Sequence, residues 1–311
     1  MRLSSRHLIS INDLTKKDVL TILQTASSFR EISERPIKKV PTLRGRTVIN
    51  CFFEDSTRTR LSFELAEKRL SADSSNISKS GSAMANKGET LLDTVKNIEA
   101  MRPDILVIRH SLSGSPAQVA TATRAHVINA GDGMHEHPTQ ALLDLMTIDE
   151  IKGRMKGLKV GIAGDILHSR VARSDMLLFK KMGMDVTVGG PPTLVPHELE
   201  EVYGVRVCHN IRDVISELDV LMLLRVQRER MGEQFFPSTR EYAIHFGITK
   251  DTLKGAKDDL VIMHPGPVNR GVELAADLAD GERSIILDQV TNGVAVRMAV
   301  LYLLIGDSSS E

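Results

Sequence analysis

Apolar positions along the chain alternate between unbroken runs and helix-spaced stripes. Thr47 to Phe53 is an apolar run that reads as a buried strand. Leu61, Phe63, Leu65, Ala66 and Leu70 follow it and read as the inner face of a helix. Ahead of them, Leu14, Val19, Ile22 and Leu23 share a helical face for which Asn12 or Asp13 is a suitable cap. The Ser- and Ala-rich stretch from Ser71 to Asn86 reads as a loop. Leu91, Leu92, Val95 and Ile98 then mark a helix that Pro103 closes ahead of a strand at 104–109. A short helix near 116–123, a strand at 126–130 and the turn Gly131-Asp132-Gly133 come next. Pro138 opens a helix carrying Leu142, Leu145, Met146 and Ile148, which Lys152-Gly153 and Lys156-Gly157 interrupt.

From Leu158 the rhythm restarts. The pattern predicts a strand at 159–163, a helix at 170–181 stopped by Gly183, and a strand at 185–188 with a Gly-Gly-Pro-Pro turn. Strands at 205–208, 220–224 and 260–263 follow, with helices between them, and a last helix runs over about 289–305. Its Val290, Val294, Met298 and Leu301 form a packing stripe. Such alternation predicts an α/β protein of two domains, each a mostly parallel sheet flanked by helices with right-handed crossovers. A length of 311 residues fits two domains that each bury a core.

Forty basic and forty acidic residues balance, so no global field draws the chain to nucleic acid or to an acidic membrane. An anionic ligand must therefore be met by local clusters. The two cysteines, Cys51 and Cys208, lie in apolar runs with no metal-ligand spacing, which predicts reduced thiols, a cytoplasmic protein and no structural metal. The first dozen residues lack the apolar core of a signal peptide, and no run reaches the ~18 apolar residues that span a bilayer.

Parallel sheets bind ligands beyond the carboxyl ends of their strands, which directs attention to the polar residues there. After the first strand comes Glu54-Asp55-Ser56-Thr57-Arg58-Thr59-Arg60. A strand-to-helix loop offers unpaired N–H groups and the positive end of the helix dipole beside two guanidinium groups, which suits phosphate. The same residues also read as a Ser/Thr cap with solvated arginines, and the stretch alone leaves both readings open. Later strand ends give Arg109-His110, His137-Pro138-Thr139-Gln140, Gly164-Asp165 with His168 and Arg170, Arg225-Val226-Gln227, and His264-Pro265-Gly266-Pro267. Arg109, Arg170 and Arg225 occupy comparable places, and guanidinium forks suit ligands bearing several negative charges. Serine-elbow, zincin, P-loop and paired-carboxylate motifs are absent, and Gly161 to Asp165 lacks the third glycine of a dinucleotide fingerprint, so that it reads as a tight connection.

Taken together and in order, Ser56 to Arg60 with Phe63-Glu64, Lys87-Gly88-Glu89-Thr90, His137 to Gln140, Arg225 to Gln227 and His264 to Pro267 resemble the aspartate carbamoyltransferase family. The resemblance spans about Leu8 to Leu304. Lys87 before Gly-Glu, Arg225-Val226-Gln227 and His-Pro-x-Pro favour that family over the sister ornithine carbamoyltransferases. It implies transfer of a carbamoyl group from carbamoyl phosphate to L-aspartate in pyrimidine synthesis, with no cofactor, metal or covalent intermediate; the alternative acceptor is another amino acid such as ornithine. Ser56, Thr57, Arg58, Thr59 and Arg109 would hold the phosphate, and Thr59, Arg109 and His137 the carbamoyl oxygen. Gln140 and the carbonyls of Gly266 and Pro267 would hold the carbamoyl amide. Lys87, Arg170, Arg225 and Gln227 would bind aspartate. Glu54 would pair with Arg170 and Arg230 across the two domains, and Arg60 would support the loop. The resemblance implies domains at 1–137 plus 293–311 and at 138–292, the C-terminal helix returning to the first. It also implies a homotrimer in which a neighbouring subunit supplies Lys87, and it leaves open an association with regulatory or dihydroorotase chains. Two departures stand out: Ala83, with Ser82 before it, where the family has a serine, and Gly266 between the two prolines.

Overall fold

The computed structural model describes residues 2–78, 88–226 and 238–306. They form two compact units, Met1–Leu143 with Thr291–Glu311, and Asp144–Val290. Both crossings between the units fall inside helices, Pro138–Lys152 (α5) and Ile286–Ile305 (α10).

The first unit is built on four parallel strands, β1 (Thr47–Phe52), β2 (Asp73–Ser78), β3 (Ile105–His110) and β4 (His126–Asp132), in the order β2-β1-β3-β4. Alternate residues of β1 face opposite ways. Ile49, Cys51 and Phe53 pack with Val95 and Ile98 of α3 (Leu91–Glu99) and Val119 of α4 (Ser115–Ala120). Asn50, on the other face, bonds to Glu67 of α2 (Thr57–Arg69). The N-terminal segment extends the sheet, since Leu8 N donates to Val127 O at 2.8 Å and its carbonyl accepts from Asn129 N at 2.8 Å.

Three expectations change here. The cap of α1 (Lys16–Glu34) is Thr15, because Asn12 and Asp13 belong to a separate short 3-10 turn capped by Ser10. Leu61 and Leu65 point outward, 52% and 38% exposed, and the buried face of α2 is Thr59, Phe63, Ala66 and Glu67. The stretch expected as a loop from Ser71 contains β2, whose polar sequence Asp-Ser-Ser-Asn-Ile-Ser suits an edge strand with little to bury. In the same unit α10 lays Tyr302 edge-on against Phe29 of α1, with ring centroids 5.8 Å apart.

The second unit has five parallel strands: β5 (Lys159–Ala163), β6 (Asp185–Gly189), β7 (Arg206–Cys208), β8 (Val220–Leu223) and β9 (Val261–Met263). Their order is β7-β6-β5-β8-β9. Helix α6 (Arg170–Lys181) follows β5, and α7 (Leu199–Tyr203), α8 (Thr239–Phe246) and α9 (Ala276–Ala279) complete the helices described there with α5 and α10. Leu221, Leu223, Ile262, Ile215, Leu218, Ile248 and Leu274 make one core. Among the described residues, no helix is long and apolar enough to cross a membrane.

Candidate active site

Each sheet has one place where the chain reverses its direction of winding. In the first, β1 leads outward to β2 and β3 leads the other way to β4; in the second, β5 leads to β6 and β8 to β9. Crevices open at the carboxyl ends of such strand pairs. The residues singled out in the sequence follow β1, β3, β5 and β8 at these reversals, and β4 and β9 beside them.

In the first unit, Ser56 is the N-cap of α2, extended at φ −159° and accepting from Thr59 N at 3.3 Å. That leaves the N–H groups of Thr57 and Arg58 as first-turn donors that no intrahelical bond can use. Thr57 and Arg58 are exposed, whereas Thr59 is buried. Arg60 reaches one turn forward along the helix to Glu64, at 3.5 Å.

One strand over, Arg109 is buried at the end of β3, where Nη2 donates to Glu54 Oε1 at 2.8 Å and Nη1 to Ala130 O at 3.1 Å. A carboxylate from the end of β1 and a carbonyl of β4 thus fix the plane of the guanidinium. Glu54, expected to pair with Arg170 and Arg230, has Arg109 as a partner within its own unit. His110 beside it accepts from Leu112 N through Nδ1 at 2.9 Å, and burial holds its pKa down against the charges of Glu54 and Asp132.

His137 ends the loop after β4. It is buried, as are Thr139 and Gln140, and its carbonyl accepts from Gln140 N at 2.9 Å at the start of α5, where Pro138 occupies the first turn. Asp132 shapes this loop by accepting from Gly114 N (2.7 Å), Asn129 Nδ2 (2.8 Å), His135 Nδ1 (3.1 Å) and Glu136 N (3.1 Å). Burial works to raise its pKa, and the bonds from His135, Asn129 and Gly114 outweigh it, so the carboxyl stays below the usual range. The loop also demands Gly133, because a Cβ there would lie 2.4 Å from Ser113 Oγ.

In the second unit the ends of β5 and β8 nearly touch. Leu224 N donates to Ala163 O at 2.8 Å, and a Cβ on Gly164, at φ +134°, would come within 2.6 Å of Leu224 O. The glycine-rich segment is therefore a tight connection. Asp165 then accepts from His168 N and from its Nδ1, at 3.2 and 2.8 Å, and Ser169 caps α6 by accepting from Ala172 N. Arg170 is the first residue of α6 and is buried; Arg225, just past β8, is half-buried. The loop after β9 contains His264, buried, then half-buried Gly266 and exposed Pro267 joined by a cis peptide bond.

Lys87, Gln227 and Arg230 lie outside the described residues, as do Ser82 and Ala83. Sequence reasoning passed over a buried polar set near His264: Glu273, Gln289 and Asp144. Gln289 Nε2 donates to Asp144 Oδ1 at 2.6 Å while its Oε1 accepts from His264 N at 2.9 Å. Burial, and then the neighbouring Asp144, push the Asp175 carboxyl well above its ordinary range, which favours its protonated form. The available signal was weak: Asp144 and Gln289 are polar residues on otherwise apolar helical faces, and Glu273 sits in a turn.

Two family descriptions match almost end to end. Residues 6–150 match the carbamoyl-P binding domain of aspartate/ornithine carbamoyltransferases, and residues 156–304 match their Asp/Orn binding domain. The chain belongs to the aspartate/ornithine carbamoyltransferase family.

Within that family, the chain is 55% identical to a protein of Syntrophus aciditrophicus named aspartate carbamoyltransferase catalytic subunit, over 99% of this chain and 100% of the relative. An aspartate transcarbamoylase of Trypanosoma cruzi, solved with N-(phosphonacetyl)-L-aspartic acid, superposes with a TM-score of 0.86 at 29% identity, over 97% of this chain and 96% of that one. The ornithine carbamoyltransferase of Pyrococcus furiosus gives 0.87 at 30% identity, over 99% of both chains. The carbamoyltransferase fold is thus shared by both acceptor classes and does not choose between them.

Proposed function

We propose that the chain is an aspartate carbamoyltransferase catalytic chain, moving the carbamoyl group from carbamoyl phosphate to the α-amino group of L-aspartate and releasing phosphate. The observation that carries this reading is the recurrence of arginine at the winding reversals of both sheets, Arg58 and Arg109 in one unit and Arg170 and Arg225 in the other. Identity of 55% to a catalytic subunit of that name supports aspartate as acceptor, and a T. cruzi relative solved with carbamoyl phosphate and aspartate together supports the substrate pair.

Both substrates are anions, and bringing them together costs several kcal/mol of repulsion unless fixed cations offset it. Ser56, Thr57, Arg58, Thr59 and Arg109 take the phosphate, using the first-turn N–H groups of α2 together with the guanidinium groups. Arg170 and Arg225, with Gln227 and Lys87, take the carboxylates of aspartate. As the amine attacks, negative charge grows on the carbamoyl oxygen. Arg58, Thr59, Arg109 and His137 donate to it, acting as an oxyanion hole in which one donor is worth ~100-fold or more. Gln140 and the carbonyls of Gly266 and Pro267 accept from the carbamoyl amide. The C–N bond forms as the C–O bond to phosphate breaks, and the departing phosphate takes the amine proton, so neither a covalent intermediate nor a separate general base is required.

By family resemblance the working protein is a cytoplasmic homotrimer serving pyrimidine synthesis, with Lys87 reaching a neighbour's site. Incubation with carbamoyl phosphate and aspartate should give carbamoyl-aspartate and phosphate, with Arg58→Ala and Arg109→Ala each lowering kcat/KM by at least about 100-fold. Ornithine in place of aspartate should give no product. Folded wild-type protein that makes no carbamoyl-aspartate would sink the proposal.

A further inference from the structure

The loop after β9 carries the two carbonyls that the proposed function assigns to the carbamoyl amide, so whatever fixes that loop bears on the choice of donor. Its first residue, His264, is 1% exposed and is held at three atoms. The backbone N donates to Gln289 Oε1 at 2.9 Å, Nδ1 meets Gly266 N at 2.8 Å, and Nε2 meets Glu273 Oε1 at 3.2 Å. A backbone N–H can only donate, so Nδ1 is the acceptor and the ring proton sits on Nε2, aimed at Glu273. Glu273 is itself 1% exposed, and the same Oε1 accepts from Asn269 N at 2.6 Å. One buried carboxylate oxygen therefore ties both flanks of the loop, the imidazole on the side of Gly266 and the backbone of Asn269 beyond Pro267. Gly266 sits at φ +68° and would not be held in that conformation by a side chain of its own, having none.

We infer that Glu273 and His264 form a positioning dyad that aims the Gly266 and Pro267 carbonyls, and thereby makes the protein select an acyl phosphate bearing an –NH2 group on its carbonyl carbon over one bearing a methyl group. This rests on the donor assignment of the proposed function. The chemistry is asymmetric: an amide fills two fixed acceptors with two N–H bonds, whereas acetyl phosphate, of nearly the same shape, leaves them desolvated and unmet. A site built to pair with a donor rejects the analogue that lacks it. Neither residue touches the ligand; both act through the loop.

The test compares binding of carbamoyl phosphate and of acetyl phosphate by calorimetry. Wild-type protein should prefer carbamoyl phosphate. His264→Leu, which removes the acceptor for Gly266 N, should cut that preference about tenfold. His264→Asn should restore most of it, because the amide oxygen of Asn reaches the position of Nδ1. Glu273→Ala should behave like His264→Leu. Inorganic phosphate should bind all of them alike. An unchanged preference in folded His264→Leu overturns the dyad. Should that variant fail to fold, nitrogen NMR of histidine-labelled wild-type protein decides: a proton on Nε2 of His264 supports the dyad, and one on Nδ1 overturns it. Wild-type protein that binds no carbamoyl phosphate rejects the donor assignment instead, while the NMR result still judges the His264–Glu273 arrangement.

Discussion

Glu67 shows how one residue can carry a condition on the whole of α2. Its carboxyl is fully buried, accepts from Asn50 Nδ2 at 2.9 Å, and also bonds to Ser74. Burial dominates those bonds and raises its pKa to about 7. The folded state thus binds a proton that the unfolded chain releases near 4.5, so stability is highest below that value and falls as pH rises toward 7. The loss amounts to about 3 kcal/mol. Glu67→Gln keeps the shape and the acceptor without the charge. Its melting temperature should match wild type near pH 5 and exceed it by several degrees at pH 8, and equal melting curves across that range would contradict the assignment. In the sequence this residue stands in Glu64-Leu65-Ala66-Glu67-Lys68, where it looks like part of a solvated face.

At the scale of elements, what was legible followed from burial. Strands whose residues are nearly all buried are mostly apolar, with polar residues only at single positions such as Asn50 and at their ends, so β1, β3, β4 and β5 stood out, and so did the helices between them. The edge strand β2 did not, because it has a polar sequence and its partner strand, not its composition, makes it a strand. The face of α2 was misassigned for a related reason: Leu61 and Leu65 are apolar but exposed, while buried Glu67 is charged. Caps were legible only approximately. Thr15 and Asp18 form a box at the start of α1, in which the Asp18 carboxylate also accepts from Ser4 N at 2.9 Å. Burial opposes the charge there, and bonds from Ser4 and Thr15 overcome it and bring the pKa down to about 2. Its contribution is therefore complete above about 4 and fades as pH falls toward 2. Asp18→Asn should lower the urea midpoint at pH 7 by an amount equivalent to about 1–2 kcal/mol, a gap that narrows steadily once the pH drops below about 4. A gap independent of pH would mean that the charge is immaterial.

At the scale of the molecule, the ordered motifs were legible as polar residues following strands, and the described candidates Ser56 to Arg60, Arg109, His137 to Gln140, Arg170, Arg225 and Gly266 to Pro267 follow strands in the structure. They could not reveal the buried supports, Asp132, Glu273 and Gln289, whose value depends on what folds against them. The proposed shared site belongs to this scale too. Mixing inactive Lys87→Ala with inactive Arg58→Ala should regenerate activity, because in the proposed trimer hybrid assemblies would contain sites in which an intact cradle meets a neighbour's intact lysine. No recovery, with subunit exchange demonstrated by mass, would argue that each chain completes its own site.

The first unit is written in two pieces of the sequence, up to Leu143 and again from Thr291. On the ribosome the second unit therefore emerges whole before the first can close. Until α10 leaves the exit tunnel, Phe29 waits for Tyr302 and Phe63 waits for Arg297, whose guanidinium stacks 5.1 Å from its ring and donates to Ser62 at 2.9 Å. The head of α2, the proposed phosphate cradle, is synthesised early and seated last. A nascent chain halted before Thr291 would show those apolar faces to chaperones, which makes the final turns of the sequence a checkpoint on the first.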